Sequence, residues 1–72
     1  MKYKLILHHL PSDMTWESIP VEENNADQFT SIYYSSDVQV LKLPVSETCI
    51  NFFRAEIVKD CVLTVIHVND EV

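Results

Sequence analysis

The sequence predicts an α+β protein with a mainly antiparallel sheet of about four to five strands and two helices. Several short apolar stretches are bounded by Asn, Asp, Ser or Pro, as strands are, while two segments carry apolar residues at helical spacing. Of the 72 residues, 47% are hydrophobic, which indicates a packed core. Residues 1–72 contain no repeat and no linker-like stretch, so we expect a single domain.

The first part of the chain predicts a strand followed by an extended segment. Residues 3–10 are rich in Leu and Ile and end at the turn residues 11–13. Because glycine is absent, positive φ angles are expected at Asn or Asp. Residues 15–22 alternate only moderately, and Pro20 lacks a backbone donor, so this segment is expected to be an edge strand or merely extended.

A first helix is predicted over residues 26–34, after a turn at residues 23–25. Asn25 is a suitable N-cap for it. Its apolar residues lie three and four apart on one face: Ala26, Phe29 and Tyr33.

The next segment, residues 38–43, predicts a strand that ends at Pro44. Alternation along a strand sends successive side chains to opposite faces. One face is therefore expected to carry Val38, Val40 and Lys42, and the other Gln39, Leu41 and Leu43.

A second helix is predicted after Ser46, which can cap it, with Glu47 near the positive end of the helix dipole. Its expected buried stripe consists of Ile50, Phe53 and Ile57, supported by Cys49. The alternative is a strand over residues 49–58, which is disfavoured because alternation fails at residues 52–53.

Residues 62–68 predict the last strand, after a turn at Asp60 and before the polar residues 69–71. The segment is almost continuously apolar. Strands that are buried on both faces have this composition, so we expect it to lie in the centre of the sheet.

The charge is acidic and unevenly distributed, with a net value of −6. Residues 5–41 contain no Lys or Arg. The acids in this interval are Asp13, Glu17, Glu22, Glu23, Asp27 and Asp37. Such a segment improves solubility and also steers association with a positively charged partner. Without a basic patch, direct binding to nucleic acid is not expected.

Catalytic and metal chemistry find little support in the sequence. His8 and His9 are neighbours that face opposite sides of a strand, and Cys61 lies about 20 Å along a strand from His67. The absence of glycine excludes phosphate-binding and dinucleotide-binding loops. Cys49 and Cys61 are expected to be buried, reduced thiols. We therefore expect no enzyme, no cofactor and no metal.

The N-terminus begins like a signal peptide, but two histidines and Pro11 interrupt its apolar run, and no cleavage site follows. No stretch is long enough to span a bilayer. These features predict a cytoplasmic protein without a membrane partner.

The segment Glu17-Ser18-Ile19, followed by Glu22 and Glu23, resembles the key segment of the uracil-DNA glycosylase inhibitors. These are small acidic proteins of phages and mobile elements that mimic DNA. The later residues 33–35, Tyr-Tyr-Ser, are similar to those of some members. The strict match covers three of the 72 residues.

The resemblance implies a non-enzymatic inhibitor that occupies the DNA-binding cleft of the glycosylase. Glu17 would imitate a phosphate, Ser18 would add a polar contact and Ile19 would pack at the cleft edge. Either Glu22 or Glu23 would supply a second charge. The family also uses an apolar pocket that receives a side chain of the enzyme. Trp16 either caps the core or belongs to the binding surface, where tryptophan is enriched.

Two other functions remain open from the sequence. One is an acidic inhibitor of a different DNA-binding protein, such as a nuclease, a restriction enzyme or RNA polymerase. The other is a small oligomerising module in which an exposed strand pairs with a copy of itself. The chain is expected to be a monomer or a homodimer.

Overall fold

A computed structural model describes residues 1–68 and confirms the α+β class, which is mainly sheet. Six strands and two helices lie in this range, and every strand pairing is antiparallel. In chain order they are β1 (Lys2–His9), β2 (Met14–Glu17), β3 (Val21–Glu22), α1 (Glu23–Tyr33), β4 (Val40–Pro44), β5 (Ile50–Arg54), α2 (Ala55–Val58) and β6 (Cys61–Val68). The polar residues 69–71 lie outside the described residues.

The strands form two sheets. In the large sheet, β1 is central: β6 pairs along one of its edges, and β2 and β3 pair in succession along the other. Strands β4 and β5 form the small sheet, which is a hairpin. The prediction of an edge strand at residues 15–22 is confirmed, but residues 18–20 divide it into β2 and β3.

One apolar cluster lies between the large sheet, the small sheet and α1. Leu5 and Leu7 of β1 and Leu41 and Leu43 of β4 are almost completely buried. The cluster is completed by Ala26, Phe29, Phe53, Val58 and Cys61. On β4, Val40 and Lys42 are exposed while Leu41 and Leu43 are buried, so the predicted alternation of faces is confirmed for residues 40–43. The strand begins at Val40 and not at Val38 as predicted, and Gln39 is exposed.

Helix α1 begins three residues earlier than the sequence predicts. Residues 23–25 form its first turn instead of a separate turn, and Glu22 occupies the N-cap position without a side-chain cap bond. The prediction of Asn25 as N-cap is therefore wrong. The chain leaves β3 directly into the helix, and Glu23 is favourably placed near the positive end of the helix dipole. The helix ends at Tyr33, one residue before the predicted end.

The predicted second helix after Ser46 is wrong, because residues 50–54 form β5. The backbone N–H groups of Val45 and Ser46 both donate to the Cys49 carbonyl, at 3.1 and 3.2 Å, and close the hairpin loop. Ile50, Ile57 and Cys49 are exposed instead of forming a buried stripe. Pairing with β4 brings Phe53 opposite Leu41, and this long-range burial outweighs the local helical spacing. The alternative of a strand is correct for residues 50–54, and only Ala55–Val58 is helical.

Strand β6 is not central, as its composition predicts, but lies at the edge of the described sheet. Within residues 1–68 it pairs with β1 alone. Val62, Val65 and Ile66 are 47, 41 and 44% exposed. Burial between two neighbouring strands therefore does not explain its apolar composition.

The turn after β1 confirms that an aspartate takes the positive φ angle: φ is 59° at Asp13. The Asp13 carboxylate lies 2.7 Å from His8 Nε2, and the Ser12 hydroxyl lies 2.6 Å from His9 Nδ1. The two neighbouring histidines thus bind different partners. Among the described residues, no helix is long and apolar enough to cross a membrane.

Candidate partner-binding site

The Glu17-Ser18-Ile19 segment lies at the kink between β2 and β3. The Ser18 N–H donates to the Leu5 carbonyl at 2.8 Å, and the Leu5 N–H donates to Ser18 Oγ at 2.8 Å. The serine side chain therefore takes the place of a backbone carbonyl in the strand pairing. This exchange lets the edge bend without leaving a buried N–H unsatisfied.

Ser18 itself is only 2% exposed, and its hydroxyl also donates to the Ile19 carbonyl at 2.8 Å. The side chain is fully used inside the protein. In this conformation it positions Glu17 and Ile19 on either side of the kink and does not face a partner.

Ile19 connects the two sheets. Its N–H donates to the Pro44 carbonyl at 3.0 Å, at the end of β4, and its side chain is half-buried. The large and small sheets meet at this hydrogen bond. On either side of this bond, no strand of the large sheet pairs with β4 within residues 1–68, which leaves room for a cleft.

Glu17 and Glu22 form ion pairs with lysines of β1. Glu17 Oε1 lies 3.0 Å from Lys4 Nζ, and Glu22 Oε2 lies 2.9 Å from Lys2 Nζ. Their side chains are 54 and 55% exposed. Ion pairs this exposed contribute about 0–1 kcal/mol, so the lysines orient the carboxylates without holding them tightly.

Both carboxylates lie on the outer face of the large sheet. Glu17 is opposite Ile6 and Glu22 is opposite Lys2, so the two acids share the face that points away from the core. Their partner positions on β1 are separated by about 13 Å along the strand. Glu23 follows at the start of α1 and is exposed.

Trp16 lies on the opposite, inner face. It is half-buried and makes an edge-to-face contact with Phe53, with ring centroids 4.8 Å apart. This contact joins β2 to β5 and closes one side of the apolar cluster. Trp16 also lines a groove with the exposed side chains of Met14 and Phe52. Its main contacts are those of a core-capping residue.

An apolar cleft of about 460 Å³ opens between α1 and β4, next to the kink. Leu5, Phe29 and Leu41 form its floor, and Val21, Ile32 and Val40 line its sides. The amino-acid sequence by itself does not locate this cleft. The only local signal is that Gln28, Phe29 and Ile32 lie on one side of the helix, which does not show that a strand edge faces them.

Tyr33, at the C-terminal end of α1, and Cys61, at the start of β6, are joined by a hydrogen bond. The Tyr33 hydroxyl donates to the Cys61 carbonyl at 2.6 Å, and Cys61 Sγ donates to the Ile57 carbonyl at 3.2 Å. Burial raises the pKa of the Cys61 thiol, and Asp60 raises it further. Burial also raises the pKa of Tyr33. A raised pKa disfavours the thiolate, so Cys61 is poorly suited to act as a nucleophile. Cys49 is free and exposed, contrary to the expectation that it is buried.

No group of three or more His, Cys, Asp or Glu residues within residues 1–68 is arranged to hold a metal ion. Cys61 pairs with His9 and His67 with Tyr3, at opposite ends of β6. Comparisons with models of known families, with curated protein sequences and with solved structures give no significant match.

Proposed function

We propose that this protein is a non-enzymatic inhibitor of uracil-DNA glycosylase that occupies the enzyme's DNA-binding cleft by mimicking DNA. The supporting observation is the position of Glu17: its carboxylate is half-exposed at a kinked sheet edge, and the buried Ser18 holds that kink in place. The proposal also depends on the resemblance of residues 17–19 to the inhibitor family.

The electrostatics of the edge support an exchange of partners on binding. A cleft that binds phosphates supplies backbone N–H groups and positive potential. Hydrogen bonds from such donors to a carboxylate are stronger than neutral ones. Since the pair with Lys4 is exposed and weak, Glu17 can leave it at little cost in free energy. Glu22 or Glu23 would supply the second negative charge.

The cleft between α1 and β4 supports a second contact. Its floor is apolar, and it has room for one or two apolar side chains of a partner. Val21 and Pro44 line it, and the Pro44 carbonyl accepts the hydrogen bond from the Ile19 N–H. In this proposal Ile19 packs at the boundary between the two binding surfaces. Ser18 acts through the kink, Trp16 through its contact with Phe53, and no cofactor takes part.

The protein would act in the cytoplasm of a host cell and would contact the glycosylase without binding nucleic acid itself. An alternative target is another DNA-binding protein, such as a nuclease, a restriction enzyme or RNA polymerase. Residues 5–41 contain acids but no Lys or Arg, and this charge would favour association with any such target in the same way.

The test is uracil excision by a bacterial uracil-DNA glycosylase on a uracil-containing oligonucleotide, with increasing amounts of inhibitor. We expect loss of excision at equimolar protein. Glu17→Gln should weaken inhibition by at least tenfold, because the isosteric amide loses the charge that the donors recognise. The control Glu56→Gln removes one exposed charge from α2 and should inhibit like the unaltered protein.

Full excision at a large excess of the unaltered protein would refute the glycosylase as target. Competition with DNA for a panel of nucleases, restriction enzymes and RNA polymerase would then test the alternative. Inhibition that is unchanged by Glu17→Gln would instead show that the tripeptide does not form the contact.

A further inference from the structure

Strand β6 presents a long edge of unusual composition. Its eight residues, Cys61–Val68, contain no acidic residue, no lysine, no arginine and no proline. Exposed edge strands are usually protected by charges, prolines or bulges, because their free backbone groups can pair with another chain. The opposite edge of the same sheet has such features: the kink at Ser18, Pro20, and the ion pairs of Glu17 and Glu22.

The direction of the backbone groups on β6 follows from the neighbouring strand. Both the N–H and the carbonyl of Leu5 bind Ser18. The backbone N–H and carbonyl groups at the odd-numbered positions of β1 therefore point away from β6. The even positions of β1 therefore bond to β6, in agreement with the bond from the Leu10 N–H to the Asp60 carbonyl. On β6 the even residues face β1, and the backbone groups of Leu63, Val65 and His67 face outward.

Tyr33 covers one end of this edge. Its hydroxyl donates to the Cys61 carbonyl at 2.6 Å, and a backbone hydrogen bond from Leu63 reaches the same hydroxyl. The Leu63 carbonyl and both backbone groups of Val65 and His67 remain directed outward. Within residues 1–68 no partner strand lies beside them.

We propose that β6 pairs antiparallel with β6 of a second copy of this chain, about a two-fold axis through Val65. In this register Val65 faces Val65 of the copy, and Leu63 faces His67. The backbone N–H of each Val65 donates to the carbonyl of the other Val65, and the backbone N–H of each His67 donates to the Leu63 carbonyl of the other copy. The bonds of Tyr33 stay intact and close the ladder at both ends.

The distribution of charge favours a second copy as the occupant. The chain is acidic overall, so two copies repel each other at most approaches. Strand β6 is neutral, and the acids Glu17 and Glu22 lie across β1 on the far edge of the sheet, about 10 Å away. A charged partner strand would find no opposite charge on β6, whereas an identical strand meets a neutral apolar edge.

The side chains are also compatible with this register. On the outer face, Val62 meets Val68 of the copy, and Thr64 meets Ile66. All four are β-branched, and cross-strand pairs of this kind stabilise antiparallel sheets. The exposed fractions of Val62 and Ile66, 47 and 44%, would fall on pairing.

The paired segment is short, so the dimer is expected to be weak. A ladder of five residues buries less than the roughly 1,200–2,000 Å² of a standard stable interface. We therefore expect a dissociation constant in the micromolar range or above. The inference does not depend on the proposed function, since pairing at β6 leaves the Glu17 edge of each copy free.

Sedimentation equilibrium on the full chain from about 10 μM to 1 mM tests the proposal directly. The mass should rise from one copy towards two and stop there, because a two-fold interface is closed. Val65→Lys should keep the protein monomeric over this range, with the fold checked by circular dichroism. Thr15→Lys adds the same charge to the opposite edge and should leave dimerisation unchanged.

Amide hydrogen exchange gives a second measurement without a substitution. Exchange at Val65 and His67 should slow by roughly four- to sevenfold between the lowest and highest concentration, because the monomer fraction falls at most as the inverse square root of concentration, while exchange at Thr15 should stay constant. A monomeric mass at 1 mM would overturn the proposal, as would a mass that grows beyond two copies. A dimer in which exchange at Val65 does not change would equally overturn it.

Discussion

Replacing Ser18 with alanine tests whether this side chain acts inside the protein. The substitution removes Oγ, which accepts a hydrogen bond from the Leu5 N–H and donates one to the Ile19 carbonyl, both at 2.8 Å. Leu5 is 1% exposed and Ser18 is 2% exposed, so water has little access to the groups that are left behind. The kink between β2 and β3 would then contain an unsatisfied buried donor.

The expected cost follows from that unsatisfied donor. A buried N–H without a partner destabilises a protein by about 1–3 kcal/mol. For a domain of this size, 1 kcal/mol corresponds to about 4–8 °C in Tm. We therefore expect the free energy of unfolding of Ser18→Ala to fall by about 2 kcal/mol and Tm by about 8–16 °C.

The assay is urea unfolding followed by circular dichroism, because an unchanged dependence on denaturant would show that only stability has changed. Ser31→Ala is the matched control: the same atom is lost from an exposed position on α1, where the effect should stay within about 0.5 kcal/mol. A loss below about 0.5 kcal/mol for Ser18→Ala would refute the reasoning.

Two further predictions concern titration and the Glu17 ion pair. The folded-state pKa values of Cys61 and Tyr33 are raised, so the stability they contribute is present below their unfolded pKa values and is lost as the pH rises. Titration of these two groups should therefore lower the free energy of unfolding between about pH 8 and beyond pH 10, less steeply in Tyr33→Phe. Equal values at roughly pH 8 and pH 10.5 would contradict this. Lys4→Ala should change the free energy of unfolding by less than about 1 kcal/mol. It should strengthen inhibition in the excision assay, because Glu17 no longer has to leave a partner. Weaker inhibition would mean that Lys4 is needed to orient Glu17.

Several elements were predictable because their signals are local. The Leu- and Ile-rich composition predicted β1, and alternation predicted the faces of residues 40–43 in β4. The turn residues located the bend where Asp13 takes a positive φ angle. The apolar spacing of Ala26 and Phe29 correctly predicted the buried face of α1. Each of these patterns depends on residues that are close together in the chain.

The elements that were predicted wrongly depend on distant partners. Residues 50–54 have apolar spacing that suits a helix, but β4 lies alongside them and pairing buries Phe53. The position of β6 depends on which strands stand beside it, and a strand can be apolar without being covered. For the candidate site, the sequence identified Glu17, but the cleft depends on the contact between α1 and β4.

The sequence by itself determined the α+β class, the acidic charge and the strands and turns whose patterns are local. The tertiary structure alone decided that the strands divide into two sheets, that Ser18 is buried, and that within residues 1–68 β6 pairs with β1 alone. The physical reason is that pairing and burial are properties of residues far apart in the chain. Ser18 illustrates this: its hydroxyl enters the strand pairing by accepting a hydrogen bond from the N–H of Leu5, thirteen positions away.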